Sequence, residues 1–187
     1  MTTIRQPALV IAGSVRPNRI AVQVAAWIAA IGNASGGTFE VVDLRDWPLP
    51  MDDEPDMPQA GVYTQPHTRA WSARIAAAPA FVFVAPQYNW GYPAALKNAI
   101  DHLYREWAGK PAMIVSYGGH GGGKCGAQLH QVCEGVKLHT VATRPELILP
   151  RSIIEANSGA IDPATVFGGH LETIRQAFAE LSAALAA

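Results

Sequence analysis

The sequence predicts an α/β protein built on an open parallel sheet with helices on both faces. Two observations carry this. Short apolar runs alternate along the chain with amphipathic stretches of helical period. The 187 residues also show no internal repeat, low-complexity segment or interdomain linker, so they are expected to form a single domain, 1–187, with one full core.

The elements follow in order. Strand one is Ala8-Leu9-Val10-Ile11-Ala12, and the turn Gly13-Ser14-Val15-Arg16-Pro17-Asn18 leads into a helix. That helix carries Ile20, Val24, Trp27, Ile28 and Ile31 on one stripe, the three-to-four spacing of a buried face. Gly36-Gly37 closes the connection to strand two, Thr38-Phe39-Glu40-Val41-Val42. Residues 46–66 contain Pro48, Pro50, Pro55, Pro58 and Pro66 and read as a long surface loop. Its acids, Asp52, Asp53, Glu54 and Asp56, read as solvated. A helix over 68–77 precedes strand three at 80–85, which stops at Pro86. Pro93 opens a helix over 94–107 whose buried side is Leu96, Ile100, Leu103 and Trp107. Gly109-Lys110-Pro111 breaks it, and strand four is 112–116. A glycine loop at 118–123, a helix over 124–137 and a fifth strand near 139–148 follow, and the tail 163–187 is one more helix after a short loop. Five strands with intervening helices favour a flavodoxin-like three-layer sandwich, a five-stranded parallel sheet of order 2-1-3-4-5, over the six-stranded dinucleotide fold.

Composition excludes several functions. The chain is 49% apolar and 16% charged with a net charge of −1, so there is no electrostatic case for a nucleic-acid or anionic-membrane partner. No apolar stretch approaches the roughly 20 residues of a membrane helix. The N-terminal Met1–Pro7 lacks the layout of a secretory signal, which points to a cytoplasmic location. The two cysteines, Cys125 and Cys133, are too few for a disulfide framework and sit as two thiols on one helix. Cys133 is expected in the core and Cys125 partly exposed near the glycine loop.

Three loops carry candidate chemistry. Gly13–Arg19 lies between strand and helix, where backbone amides attract an anion; Ser14 and Asn18 add neutral donors, and Arg16 and Arg19 charged ones. A monophosphate suits that set, and a plain turn with solvated arginines and Asn18 as N-cap is the alternative. The second loop, Pro86-Gln87-Tyr88-Asn89-Trp90-Gly91, offers amides for the edge of a flat heteroaromatic ligand and rings for its face. The third, Ser116-Tyr117-Gly118-Gly119-His120, lets backbone approach a ligand closely. Gly118-x-x-x-x-Gly123-Lys124-Cys125 nearly matches the phosphate loop of nucleotide triphosphatases, but a thiol replaces the hydroxyl that a hard cation needs. His120, His130 and His139 lack metal-ligand spacing, and no nucleophile elbow is present.

Taken together, Gly13-Ser14-Val15-Arg16, Pro86-Gln87-Tyr88-Asn89, Leu96-Lys97-Asn98-Ala99-Ile100-Asp101 and Ser116–Gly122 resemble the motifs of the NADPH-dependent FMN reductase family. The longer runs look like its subgroup containing the yeast quinone reductase. The resemblance spans about residues 8–138 and implies FMN as cofactor and NADPH or NADH as co-substrate. It also implies a small-molecule electron acceptor such as a quinone, and a homodimer or homotetramer. On this resemblance Ser14, Arg16 and Arg19 hold the phosphate. Residues 86–89 line the ring, Tyr117, Gly118 and Gly119 back it, and Tyr88 and Trp90 shape the acceptor pocket. No side chain is assigned a catalytic acid or base role, because the flavin carries the chemistry. Gln87 departs from the glutamate common in the family. Tyr104 and Trp107 are expected at a subunit interface. A flavin-bound redox sensor acting through a protein partner, or a flavodoxin-type electron carrier, remains as the alternative.

Overall fold

The computed structural model describes residues 6–187; Met1–Arg5, part of the segment read for a secretory signal, lies outside them. Six strands form one sheet: β1 (Ala8–Ala12), β2 (Phe39–Asp43), β3 (Phe81–Pro86), β4 (Pro111–Gly118), β5 (His139–Thr140) and β6 (Glu146–Ile148). The order is β2-β1-β3-β4-β5, with β6 also on β4, and every pairing is parallel. The helices are α1 (Ala21–Ala34), α2 (Pro66–Ala77), α3 (Ala94–Asp101), α4 (Gly123–Gly135), α5 (Arg151–Ala156), α6 (Pro163–Phe167) and α7 (Leu171–Ala186).

The central strands are buried on both faces, and their period of two divides the core. Val10, Val82, Val84, Met113 and Val115 face α1 and α7, where Val24, Ile28, Ile174 and Phe178 meet them. Leu9, Ile11, Phe81, Phe83 and Ile114 face α2, α3 and α4, against Trp71, Ile75, Leu96, Ile100 and Leu129. The indole of Trp107 lies fully buried in this second layer, 4.7 Å from the Phe81 ring between centroids, and donates to the Ile100 carbonyl at 3.1 Å. It is therefore core and not an interface residue, which corrects the sequence expectation.

The structure departs from the sequence reading at five further places. The helix expected over 94–107 ends at Asp101, because Leu103 N–H donates to Ile100 and Trp107 N–H to Tyr104, tighter turns that swing Trp107 inward. The expected fifth strand is split into β5 and β6. Between them the backbone N–H and hydroxyl of Thr143 donate to the Glu180 carboxylate of α7, at 2.8 and 2.5 Å, in place of a sheet partner. The short loop expected before the tail contains α5, and the tail itself is two helices. Cys125 is buried as fully as Cys133, with no surface exposed on either.

The proline-rich stretch is exposed but anchored. Glu54 accepts from Thr64 N–H, Thr64 Oγ and Gln65 N–H at 2.7, 2.9 and 2.9 Å. Asn98 and His102 bond the carbonyls of Leu49 and Pro50 at 3.0 and 2.8 Å. Partial burial pulls the Glu54 carboxyl up, but the hydrogen bonds from Thr64 and Gln65 outweigh it and bring it down to about 2. Its folded pKa lies below its ordinary value of 4.5, so its contribution is present above that value and disappears as pH falls towards about 2. Glu54→Gln is expected to raise the rate of limited proteolysis within 50–65 at pH 7, and acidification of the wild type below pH 4 to do the same. An unchanged cleavage rate in both would show that the carboxylate does not hold the loop.

Candidate functional site

The chain order reverses between β1 and β3. The helix that follows β1 packs on one face of the sheet, and the helix that follows β3 packs on the other. A crevice opens between the loops at their carboxyl ends, the place where open parallel sheets take ligands. Pairing of Val84 with both Ala12 and Val115 fixes the three strands in register, so that their ends step outward from Ala12 through Pro86 to Gly118. Gly13 N–H donates to Val84 O at 2.9 Å, and Gln87 N–H to Tyr117 O at 2.8 Å, so all three candidate loops leave the sheet side by side.

The first two loops are joined directly. Ser14 is fully buried and its hydroxyl hydrogen-bonds the Tyr88 hydroxyl at 2.7 Å. The Arg16 guanidinium lies 3.6 Å from the centroid of the Tyr88 ring. Tyr88 thus serves as the bridge between the loops, and one of its faces is occupied. Arg19 pairs with Asp43 at the end of β2, and its Nε–H is buried without a partner. Asn18 does not cap α1: Ile20 holds the cap position without a side-chain bond, and the Asn18 amide donates to Asn157 O at 3.2 Å. The first turn of α1 therefore keeps amides free of side-chain acceptors beside two guanidinium groups.

In the second loop, Tyr88 and Gly91 exchange backbone hydrogen bonds of 2.8 and 2.9 Å around Asn89 and Trp90. Both central residues are left-handed, with φ of 49° and 71°, as a two-residue hairpin turn of this hand requires. For a residue as large as tryptophan that conformation is strained. The turn holds Trp90 outward, 63% exposed. Asn89 and Trp90, assigned from sequence to the ring site, do not line the main cleft; Trp90 lines an adjoining hollow with Gln87, His120, Gly123 and Lys124. Gln87 accepts from Cys125 N–H in the first turn of α4 at 3.2 Å, so the side chain that departs from the family pattern ties the second loop to a helix N-terminus.

In the third loop, Ser116 is buried and donates to Gly121 O at 3.2 Å, which places it beneath the site. A Cβ on Gly122 would fall 2.9 Å from Ser116 Cβ and from Tyr117 N, at a backbone φ of 82°, so the loop folds back only with glycine there. Tyr117, Gly118 and Gly119 line the cleft. Burial raises the Tyr117 phenol and keeps it protonated at neutral pH.

Sequence reasoning missed the opposite wall, formed by Leu149, Ile153, Ile154, Asn157, Ser158 and Gly159. The turn chemistry of Asn157-Ser158-Gly159 after Pro150 was the available signal. This strap is tied down by Leu149 N–H to Gly118 O at 2.8 Å and by Gln23 Nε2 to Gly159 O at 2.8 Å. The cleft encloses about 230 Å³, and its lining carries Arg16 and Arg19 and no carboxylate.

A family model described as NADPH-dependent FMN reductase matches residues 7–150. The chain belongs to the NADPH-dependent FMN reductase family. It is 53% identical over 177 residues to an NAD(P)H-dependent FMN reductase of Schizosaccharomyces pombe, covering 93% of this chain and 88% of that one. It is 45% identical over 144 residues to the NAD(P)H-dependent FMN reductase of Saccharomyces cerevisiae (71% and 75% covered). An NADPH:quinone oxidoreductase of Arabidopsis thaliana is 34% identical over 138 residues (70% and 68% covered). Membership makes this chain an FMN-dependent NAD(P)H oxidoreductase, in agreement with the sequence resemblance.

Neither thiol lines the cleft, and both are buried. Burial pushes Cys125 and Cys133 up to about 12, leaving both protonated at neutral pH. Native protein at pH 8 is expected to resist iodoacetamide, whereas protein in denaturant takes up two equivalents. Rapid modification of folded protein would contradict the burial.

Proposed function

We propose that the cleft between the loops after β1, β3 and β4 holds FMN and that the protein passes reducing equivalents from NADPH or NADH to a quinone or similar acceptor. Free flavin, an azo dye or a metal oxyanion are acceptors of the same class. The observation that carries this reading is the cleft lining, with Arg16 and Arg19 at one end, planar and small groups at the other, and no carboxylate. The buried, unpartnered Nε–H of Arg19 is the kind of orphaned donor that an anion satisfies. These residues fit a flavin carrying a monophosphate.

In this reading Ser14, Arg16, Asn18, Arg19 and the first-turn amides of α1 take the phosphate; Ser14 acts by holding Tyr88 and the loop backbone. Pro86, Gln87 and Tyr88 lie along one edge of the ring, and Tyr117, Gly118 and Gly119 lie behind it. Leu149, Ile153 and Ile154 form the apolar wall that excludes water. FMN, when bound, supplies the hydride chemistry. The chain's residues position it and leave an approach for one flat partner at a time, so no side-chain acid or base is required. The protein acts as a single FMN-binding domain in the cytoplasm, as a homodimer or homotetramer. Exposed Met51, Met57 and Val62 on the anchored proline-rich loop supply apolar surface for self-association.

Purified protein is expected to be yellow and to oxidise NAD(P)H in the presence of a quinone; yellow protein without turnover would overturn the assignment. Arg16→Ala is expected to weaken FMN binding by about tenfold to a hundredfold, the worth of one charge-assisted phosphate contact. Unchanged FMN affinity by fluorescence titration would remove Arg16 from the phosphate site. Gln87→Glu keeps an acceptor for Cys125 N–H and places a charge at the N-terminus of α4. It is expected to gain about 0.3–1 kcal/mol in stability and to lower the bound flavin's midpoint potential. An unchanged potential would place residue 87 away from the ring.

A further inference from the structure

The hollow beside the cleft contains charge that the flavin site does not use. It is lined by Gln87, Trp90, His120, Gly123 and Lys124, and Gln87 is also a wall of the cleft. A molecule leaving the cleft over Gln87 therefore passes into it. Lys124 and His120 are both exposed. Among the described residues Lys124 forms no ion pair. Its ammonium instead lies 2.9 Å from the centroid of the Trp90 ring. One carboxylate lies against a lining residue: a Cβ on Gly123 would meet Glu146 Oε2 at 2.6 Å.

Trp90 reaches this position by an unfavourable route. Its left-handed backbone is one that a bulky side chain avoids, and the result is an indole 63% exposed beside an unpaired ammonium. Neither helps to bury core. Together they place around one hollow an indole, the ammonium that rests on one of its faces, and an imidazole. That set is suited to a ligand that joins an aromatic base to a phosphate.

We propose that this hollow binds the adenosine 2′-phosphate end of NADPH, with Lys124 and His120 receiving the phosphate and Trp90 the purine. The inference rests on the proposed cleft as the flavin site, because it requires the nicotinamide end to lie there. The geometry follows from connectivity: the dinucleotide's reacting ring must enter the cleft, and its other end must leave across the shared wall at Gln87. The near-match to a triphosphatase loop at 118–125 takes on a different meaning. The lysine at its end serves a phosphate outside the strand-helix cradle, without a hydroxyl or a metal. The 2′-phosphate is the group that separates NADPH from NADH, so Lys124 sets the preference between them.

The test uses the FMN-loaded protein and adenosine 2′,5′-bisphosphate, a probe that has the NADPH adenosine end and undergoes no redox chemistry. Calorimetry should show binding to the wild type, weaker by about tenfold in Lys124→Ala and largely restored in Lys124→Arg. In steady state, Lys124→Ala should raise KM for NADPH by a similar factor and leave KM for NADH and kcat unchanged. Trp90→Ala should weaken the probe and both nucleotides. Equal probe affinity in wild type and Lys124→Ala, or no binding to the wild type, would overturn the proposal. So would a change in oligomeric state in Lys124→Ala or Trp90→Ala with probe affinity unchanged, which would make the hollow a seat for a second copy of the chain. Thermal melting and flavin content identify a misfolded variant, and Lys124→Arg then decides the matter. Probe binding without turnover would preserve the subsite and remove the oxidoreductase reading; turnover without probe binding would do the reverse.

Discussion

The register of three parallel strands governs everything else in this molecule. Val84 is opposite both Ala12 and Val115, so β1, β3 and β4 are locked in one register, with β3 running two residues and β4 three residues past the level where β1 ends. Because those strands are apolar on both faces, neither layer of helices tolerates a one-residue slip, which would exchange the phenylalanine and valine sets. The site inherits this precision. Its loops begin where the ladder ends, and the last ladder bonds, from Gly13 and Gln87, already belong to them.

Beyond the ladder, polar contacts take over from packing. The paired hydroxyls of Ser14 and Tyr88, the guanidinium of Arg16 on the same ring, and the Gln87 amide on Cys125 N–H form one chain of contacts from the β1 loop to α4. Ser14 is buried, so its hydroxyl needs that partner, and an unmade bond there would cost about 1–3 kcal/mol. The same economy appears in Arg19, held by Asp43 from the next strand with one N–H still unused. Polar side chains in this protein both shape the cleft and remain available to a ligand.

The parts legible in the sequence were those with a period or a punctuation mark. Runs such as Phe81–Val84 and the stripe of α1 fix strands and helices, and the order of strands follows from alternation and length. The three loops were legible because turn residues follow each strand. Less legible was anything decided by distant partners. No local pattern says that Thr143 pairs with Glu180 and so splits an edge strand, or that Trp107 turns into the core after α3 has ended. The strap at 149–159 shows in the sequence only as a turn: α5 has no buried residue, hence no apolar stripe, and it becomes a wall only through Asn18, Gln23 and Gly118. Trp90 was read as part of the ring site because aromatic type was visible and backbone handedness was not.

The split of the last strand bears on what one border of the sheet offers to another chain. A parallel sheet that ended in a straight strand would present a row of open amides and carbonyls to any passing chain. Here the border formed by β5 and β6 is two pieces, of two and three residues, and the backbone between them is drawn aside to a carboxylate on α7. At this border an intruding strand would find no continuous rail to join, in contrast to the other border, where β2 runs unbroken from Phe39 to Asp43. The same irregularity that leaves no straight strand at this border depends on Glu180, a residue that lines no part of the cleft.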